Sequence, residues 1–273
     1  MPRFYTPGGQ QINEVPKWDQ SGLRPVRITD AKKNGWYASV STICSTYSDG
    51  DGLMAWKVNQ PLEAAIKNNT WELLKESPYE WKQTVQALAQ KEMSKAPALG
   101  SAIHGAVEFY QRIRATSKEA PNFDTFDDSV RPYVAGVHSF CEEFGIVADQ
   151  DHLERVVVID DCKAAGTLDM RGKGFKKDRV YFDWKTQKVR NQKPNFYFKF
   201  PLQLAAYRAG DGGEGLLCSV ILDTSEHPYG PGQFPSIYYQ LWDNPDKYYQ
   251  HFKNLAAMYY DSNDWAWEDK GNG

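Results

Sequence analysis

The strongest constraint on the fold is a change of hydrophobic period near residue 150. Before that point apolar residues recur at helical spacing; after it they recur in short strand-like runs. Upstream, helical patterns cover 52–68, 71–77 and 79–95, with Pro78 between the last two because proline cannot donate within a helix. Residues 98–116 read as a further helix, with Ala98, Ala102, Val107 and Ile113 among polar neighbours. Residues 126–144 read as another, with Val130, Tyr133, Val134, Val137, Phe140 and Phe144 on its apolar side. Downstream, 152–159, 165–171 and 179–185 read as strands. A helix at 199–209, strands at 216–223 and 236–242, and a helix from Pro245 to 261 complete the pattern.

The remaining segments are connections. Residues 1–35 read as irregular, interrupted by Pro7, Gly8, Gly9, Pro16 and Pro25. Residues 36–43 read as a short strand or the approach to a helix, Asp49 to Gly52 as a turn, and 117–125 as a loop. The tail is acidic and aromatic. This order predicts an α/β or α+β protein with a helical N-terminal portion. Residues 1–97 are expected as an arm and helices packed on a core of 98–273, together forming one compact domain.

Composition narrows the class. With 25% charged and 41% hydrophobic residues, the chain has an ordinary globular balance. It holds no apolar run of the length a membrane span needs. Its first residues lack the apolar core of a secretory signal, so a cytoplasmic location is expected. Cys44, Cys141, Cys162 and Cys218 are far apart and show no C-x-x-C spacing, which predicts buried free thiols rather than disulfides or a metal cluster.

The candidate chemistry begins with three residues, Asp169 in Gly-Thr-Leu-Asp and Asp183 and Lys185 in Phe-Asp-Trp-Lys-Thr. A hairpin centred near Lys176 sets Asp169 almost opposite Asp183. Alternation then puts Tyr181, Asp183 and Lys185 on one face, and Val180, Phe182 and Trp184 on the other, entering the core. Two neighbouring carboxylates repel unless a cation lies between them. Mg²⁺ or Mn²⁺ suits oxygen ligands, polarises a phosphate and lowers the pKa of a bound water. The backbone carbonyl of Trp184 would lie near such an ion, and Lys185 would orient the water or neutralise charge on the phosphate. Taken alone, a D-x-K tripeptide reads sooner as a surface pair, with Asp169 a turn residue; the hairpin register and the flanking segments reverse that preference.

Two helical pairs flank this hairpin. His104 and Glu108, four residues apart, share a helix face and offer an imidazole and a carboxylate to a metal. Gln203 and Tyr207 share another, where Gln can orient the lysine or a phosphate and Tyr can stack on a base or bond a phosphate. Each pair alone reads as well as an ordinary helix surface.

Net charge is −3, which argues against a nucleic-acid partner. From Arg171 to Lys199, however, ten basic residues face only Asp178 and Asp183. Such a stretch can focus a polyanion on one groove. Its candidate DNA contacts are Lys173, Lys176, Lys177, Thr186, Lys188 and Arg190.

Taken together, Gly100-x-x-x-His104-x-x-x-Glu108, Gly166-Thr167-x-Asp169, Asp183-x-Lys185-Thr186 and Gln203-x-x-x-Tyr207 resemble the RecB-type branch of the PD-(D/E)XK nuclease superfamily. Ser39-Val40-Ser41-Thr42-Ile43, with Leu53-x-x-Trp56 after it, is similar to the phage exonucleases and the mitochondrial genome maintenance exonuclease of that branch. The motifs span about residues 36–210. The resemblance implies a restriction-endonuclease-like core, a mixed central sheet flanked by helices. It implies His104, Asp169 and Asp183 as metal ligands, Lys185 as catalytic lysine, and Glu108 as a helper at the metal. Gln203 and Tyr207 would form the extra RecB-type motif, and Glu154 on the first core strand a further ligand. The resemblance also implies Ser39, Ser41 and Thr42 as further DNA contacts. Members with an iron–sulfur cluster place three cysteines near the C-terminus. Here only Cys218 follows the D-x-K motif, so no cluster is expected.

The resemblance implies a Mg²⁺- or Mn²⁺-dependent DNA exonuclease, with one or two ions, acting on single-stranded DNA or free ends. Its setting would be phage or cellular replication, recombination or DNA breakdown, in the host cytoplasm if phage-encoded, beside other replication or recombination proteins. A structure-specific endonuclease, a double-strand exonuclease and a non-catalytic DNA-binding adaptor stay open as alternatives. A secreted carbohydrate-binding protein, suggested by nine tryptophans, fits poorly with the basic centre.

Overall fold

An eight-stranded mixed sheet organises the larger of two compact units into which the chain divides. The computed structural model describes residues 3–47, 52–117, 122–230 and 232–265, with backbone only for 52–58. One unit is Met1–Tyr47 with Ala106–Gly273, and the other is Ser48–Gly105. Residues 1–47 therefore group with the C-terminal portion, not with the helices that follow them. The turn at 49–52, part of the loop at 117–125 and most of the tail lie outside the described residues.

The N-terminal stretch is more regular than its prolines and glycines predict. It forms β1 (Phe4–Tyr5), β2 (Gln11–Ile12), β3 (Glu14–Pro16), β4 (Leu23–Pro25), α1 (Ile28–Asn34), β5 (Tyr37–Ser39) and α2 (Val40–Cys44). These strands are only two or three residues long, too short for a period to announce them. Residues 36–43 turn out to be both a strand and a helix start. Ser39 ends the strand and caps α2, its Oγ accepting from the Thr42 N–H at 3.0 Å.

The smaller unit is helical, with α3 (Gly52–Lys67), α4 (Trp71–Glu76) and the first part of α5 (Pro78–Thr116). Ala64, Ala65, Val85 and Ala89 are buried in it, and the Trp81 indole donates to Thr70 Oγ1 at 2.9 Å. The helices expected at 79–95 and 98–116 are one continuous element through Pro97. Proline costs a helix interior one hydrogen bond. Val85 and Ala89 before Pro97 and Ile103 after it are buried.

The rest of the larger unit follows the predicted order. It comprises α6 (Arg131–Phe144), β6 (Val147–Ile159), β7 (Ala164–Gly174), β8 (Lys177–Gln187), α7 (Lys199–Gly210), β9 (Leu216–Asp223), β10 (Ile237–Trp242) and α8 (Pro245–Ser262). The strand order is β10-β9-β8-β7-β5-β1-β2, with β6 also on β7. Pairs β8–β9 and β5–β7 are parallel; β6–β7, β7–β8 and β9–β10 are antiparallel. Helices cover both faces. On one, Leu204, Ala205 and Tyr207 of α7 and Phe252 and Ala256 of α8 join Tyr181, Leu217 and Ile221 in the main core. On the other, Phe140 of α6 meets Trp184 at 6.3 Å and Tyr239 at 5.6 Å, and Phe182 stacks on Trp184 at 6.1 Å. Phe182 and Trp184 are thus in the core as expected, but so is Tyr181, which is fully buried. No described helix is long and apolar enough to cross a membrane.

The β7–β8 hairpin turns on Phe175 and Lys176, both at positive φ (52° and 60°), not on the neighbouring glycines. Gly172 and Gly174 sit in the strand for another reason. A Cβ on Gly172 would lie 2.2 Å from the Val147 carbonyl oxygen, and one on Gly174 2.9 Å from Ile146 Cγ1.

Candidate functional site

Strand register assembles the acidic residues. In β6–β7, Leu153 pairs with Met170 and Arg155 with Leu168, which sets Glu154 abreast of Asp169. In β7–β8, Met170 pairs with Phe182; one step further along that register sets Asp169 abreast of Asp183. Glu154, Asp169 and Asp183 therefore form one row across three strands. The expected meeting of Asp169 with Asp183 rests on the same hairpin register that the sequence predicts.

The row lies where β7 loses its partner on one edge. Strand β6 borders β7 along its length, so β8 and β5 must share the other edge. Strand β8 takes Met170 to Gly174 and β5 takes Ala164 and Ala165, leaving residues 166–169 between them. In that gap the Asp169 side chain takes over from the ladder, its Oδ2 accepting from the Trp184 N–H at 2.9 Å. The N–H and C=O of an extended residue point to the same side, so the Trp184 carbonyl also faces β7.

Each group has a distinct environment. Asp183 is only 1% exposed, and its Oδ1 accepts from Lys185 Nζ at 2.6 Å. Burial works to lower the Lys185 pKa, but the carboxylates of Asp183 and Asp169 outweigh it and raise it, so the lysine is a cation. Its Nζ lies 5.8 Å over the Phe200 ring. Glu154 and Asp169 are half-buried and present carboxylate oxygens within 4.8 Å of each other. Both are hard oxygen donors, the type that Mg²⁺ and Mn²⁺ prefer.

Glu154 owes its aim to an irregular strand. Between the pairs Ala148–Gly172 and Leu153–Met170, β6 advances five residues while β7 advances two. Glu154 itself has φ 49°, the left-handed region that a non-glycine residue occupies only when its surroundings impose it. Two arginines hold this bulge. Arg171 bonds Asp149 at 2.9 Å and His152 Nδ1 at 3.0 Å, and it is anchored to the buried Asp211 at 2.6 Å. Arg112 donates to the Leu153 carbonyl at 3.2 Å.

Glu108 is bound to Arg112 at 2.8 Å and thus supports the residue that holds the Leu153 carbonyl. His104 stands on α5 one turn before Glu108, in the smaller unit, and is half-buried. Tyr207 is 3% exposed and lies over Gly166, so it cannot stack on a base. Burial, and next the nearby Asp169 anion, push its pKa well above the ordinary phenol value, so it is a neutral hydroxyl. Gln203, half-buried, approaches its Oη at 3.4 Å.

The basic stretch does not form one patch. Arg171 is tied up in the ion pairs described above. Lys173 faces Asp178 at 3.7 Å, and Lys176 and Lys177 stand exposed at the hairpin tip. Lys177 lies six residues from Asp183, roughly 20 Å along the strand at about 3.3 Å per residue. Beyond the half-buried Thr186, Lys188, Arg190 and Lys193 are exposed and Lys199 is half-buried. Ser39 is a buried cap, while Ser41 is exposed and Thr42 accepts from the Arg3 N–H at 3.2 Å. The side chains of Leu53 and Trp56 lie outside the described residues.

Among residues the motifs did not mark, Arg112 was accessible from its i,i+4 spacing to Glu108. Asp211 was not, because it lies forty residues from Arg171 and its role exists only in the folded chain. All four cysteines are buried free thiols. No family model matches this chain, and no curated protein matches it.

Proposed function

We propose that this protein is a metal-dependent DNA exonuclease with a PD-(D/E)XK-type centre. The observation that carries this reading is the row Glu154–Asp169–Asp183 with Lys185 bound to its buried end. Asp169, Asp183, Glu154 and the Trp184 carbonyl would hold Mg²⁺ or Mn²⁺. When bound, the ion would polarise a phosphate and lower the pKa of a coordinated water.

The chain's own residues supply the rest. Asp183 holds the Lys185 ammonium in place, where it can orient an attacking water and offset negative charge that grows on the phosphate. Asp169 accepts from the Trp184 N–H, which ties its carboxylate to β8. Neutral Tyr207, with Gln203 beside it, packs against Gly166 and closes the floor of the gap. The exposed Lys188, Arg190 and Lys193 beyond Lys185 suit a polyanionic chain.

The test is a time course on end-labelled single- and double-stranded DNA with Mg²⁺ or Mn²⁺. Loss of cutting in EDTA, and in Asp183→Ala and Lys185→Ala variants that remain folded, is expected. Undiminished cutting by both variants overturns the assignment. A circular single strand left intact separates an exonuclease from an endonuclease.

A further inference from the structure

A ring cluster at the start of α7 has no part in the site described so far. Phe198, just before Lys199, is 38% exposed, and Tyr47 is 40% exposed. Their rings lie 5.4 Å apart. Phe198 also touches Tyr248 at 5.9 Å and His251 at 5.7 Å, so the pair is backed by a fixed aromatic base on α8. Scattered exposed rings are ordinary. A contiguous group with open edges marks a contact surface.

Two features say what would contact it. The first is charge. The loop between β8 and α7 folds back on Gln187, whose side chain bonds the Asn195 N–H at 2.7 Å and the Asn195 carbonyl at 3.2 Å. Lys188, Arg190 and Lys193 are exposed in this loop, which runs into Phe198. Lys199 follows Phe198 directly, with its Nζ 4.9 Å over Tyr197. The second is continuity. Tyr197 meets Phe200 at 5.5 Å, and Phe200 lies under the Lys185 ammonium. A second ring pair, flanking Phe198 in sequence, thus reaches the Lys185 ammonium.

We infer that Tyr47 and Phe198 are a stacking platform for the unpaired bases of single-stranded DNA, with Lys188, Arg190 and Lys193 along its backbone. Stacking needs a base with an open face, which duplex DNA lacks except at its ends. Phosphate contacts accept either form. The platform would therefore confer strand preference, and the cations general affinity. The inference rests on the nuclease reading for its substrate and deepens it by naming where the strand enters.

The experiment measures fluorescence anisotropy of labelled oligo-dT and of a blunt duplex, both in EDTA to prevent cutting. Phe198→Ala, and the pair Tyr47→Ala with Phe198→Ala, should weaken oligo-dT binding by about five- to tenfold per ring and leave duplex binding unchanged. Lys188→Ala with Arg190→Ala should weaken both substrates together and flatten the salt dependence. Circular dichroism of each variant checks that the fold is kept. Unchanged oligo-dT binding in the folded aromatic variants, or an equal loss for the duplex, overturns the platform. Parent protein that binds oligo-dT through Phe198 but cuts no DNA with Mn²⁺ overturns the nuclease reading and supports the platform.

Discussion

The Trp184 backbone N–H donates to Asp169 Oδ2 at 2.9 Å, so one carboxylate both continues the sheet and faces the acidic row. The two tasks separate by substitution. Asp169→Asn keeps an acceptor for Trp184 and should retain stability within about 1 kcal/mol, while DNA cutting falls at least a hundredfold. Asp169→Ala should lose the same activity and cost about 1–2 kcal/mol more in urea unfolding. An active Asp169→Asn enzyme would refute the metal-ligand role.

Gly166 is small because Tyr207 needs the space. A Cβ there would lie 2.7 Å from Tyr207 Oη and 3.0 Å from Cε1. Gly166→Ala should therefore cost about 1–3 kcal/mol by overpacking. Adding Tyr207→Phe should recover part of that loss, because the hydroxyl contact goes while the ring contact stays. Strict additivity of the two changes in denaturant midpoints would show that the contact is not felt.

Glu154 and Asp169 should report metal binding without any reaction. Mn²⁺ at about a hundred times its dissociation constant adds about 2.7 kcal/mol to stability. Parent protein should show the corresponding rise in Tm by differential scanning fluorimetry. Glu154→Gln and Asp169→Asn should each lose most of it. An equal rise in all three proteins would place the ion elsewhere.

Arg171 should matter to Glu154 although they do not touch. It joins Asp149 and His152 of the β6 bulge to Asp211, whose side chain is 2% exposed. Arg171→Leu leaves Asp211 without its strongest partner and should destabilise by about 3 kcal/mol. The Mn²⁺-dependent rise in Tm should shrink as the bulge loosens. A full Mn²⁺ response in this variant would show that the bulge is held by other means.

The acid sensitivity of the N-terminal arm should trace to Asp30. Arg24 bonds both of its oxygens at 2.7 Å, and the Arg27 N–H adds a third bond at 2.8 Å. Chiefly through Arg24, the carboxyl pKa falls from 3.8 to about 2. A depressed carboxylate stabilises the fold above its unfolded pKa and loses that contribution as pH falls through its folded value. Asp30→Asn should thus be about 1–2 kcal/mol less stable at pH 7. The gap to the parent should narrow between pH 4 and pH 2. A gap independent of pH would assign the effect to shape alone.

The site was legible in the sequence to the extent that it is local. Asp169 and Asp183 belong to one hairpin, so the position of its turn set their register. Gln203 and Tyr207 share one helix, so spacing alone paired them. The burial of Tyr207 over Gly166 depends on β7, so helix spacing alone left base stacking open to it. Glu108 is also paired with Arg112 one turn on, a partner its spacing offers. The hairpin lysines looked like part of one basic groove because sequence proximity hides the length of an extended strand.

Hydrophobic period and turn chemistry by themselves determined the order of helices and strands from 126 to 262, the opposition of the two aspartates and the burial of Phe182 and Trp184. These follow from interactions a few residues apart. Only the tertiary structure decided that residues 1–47 join the core unit, that helices cover both faces of the sheet, and that Glu154 turns toward Asp169. Those outcomes depend on pairings between segments far apart in the chain, the β5–β7 ladder and the Arg171–Asp211 contact above all. Such contacts form only once the chain has closed on itself, so no local pattern encodes them.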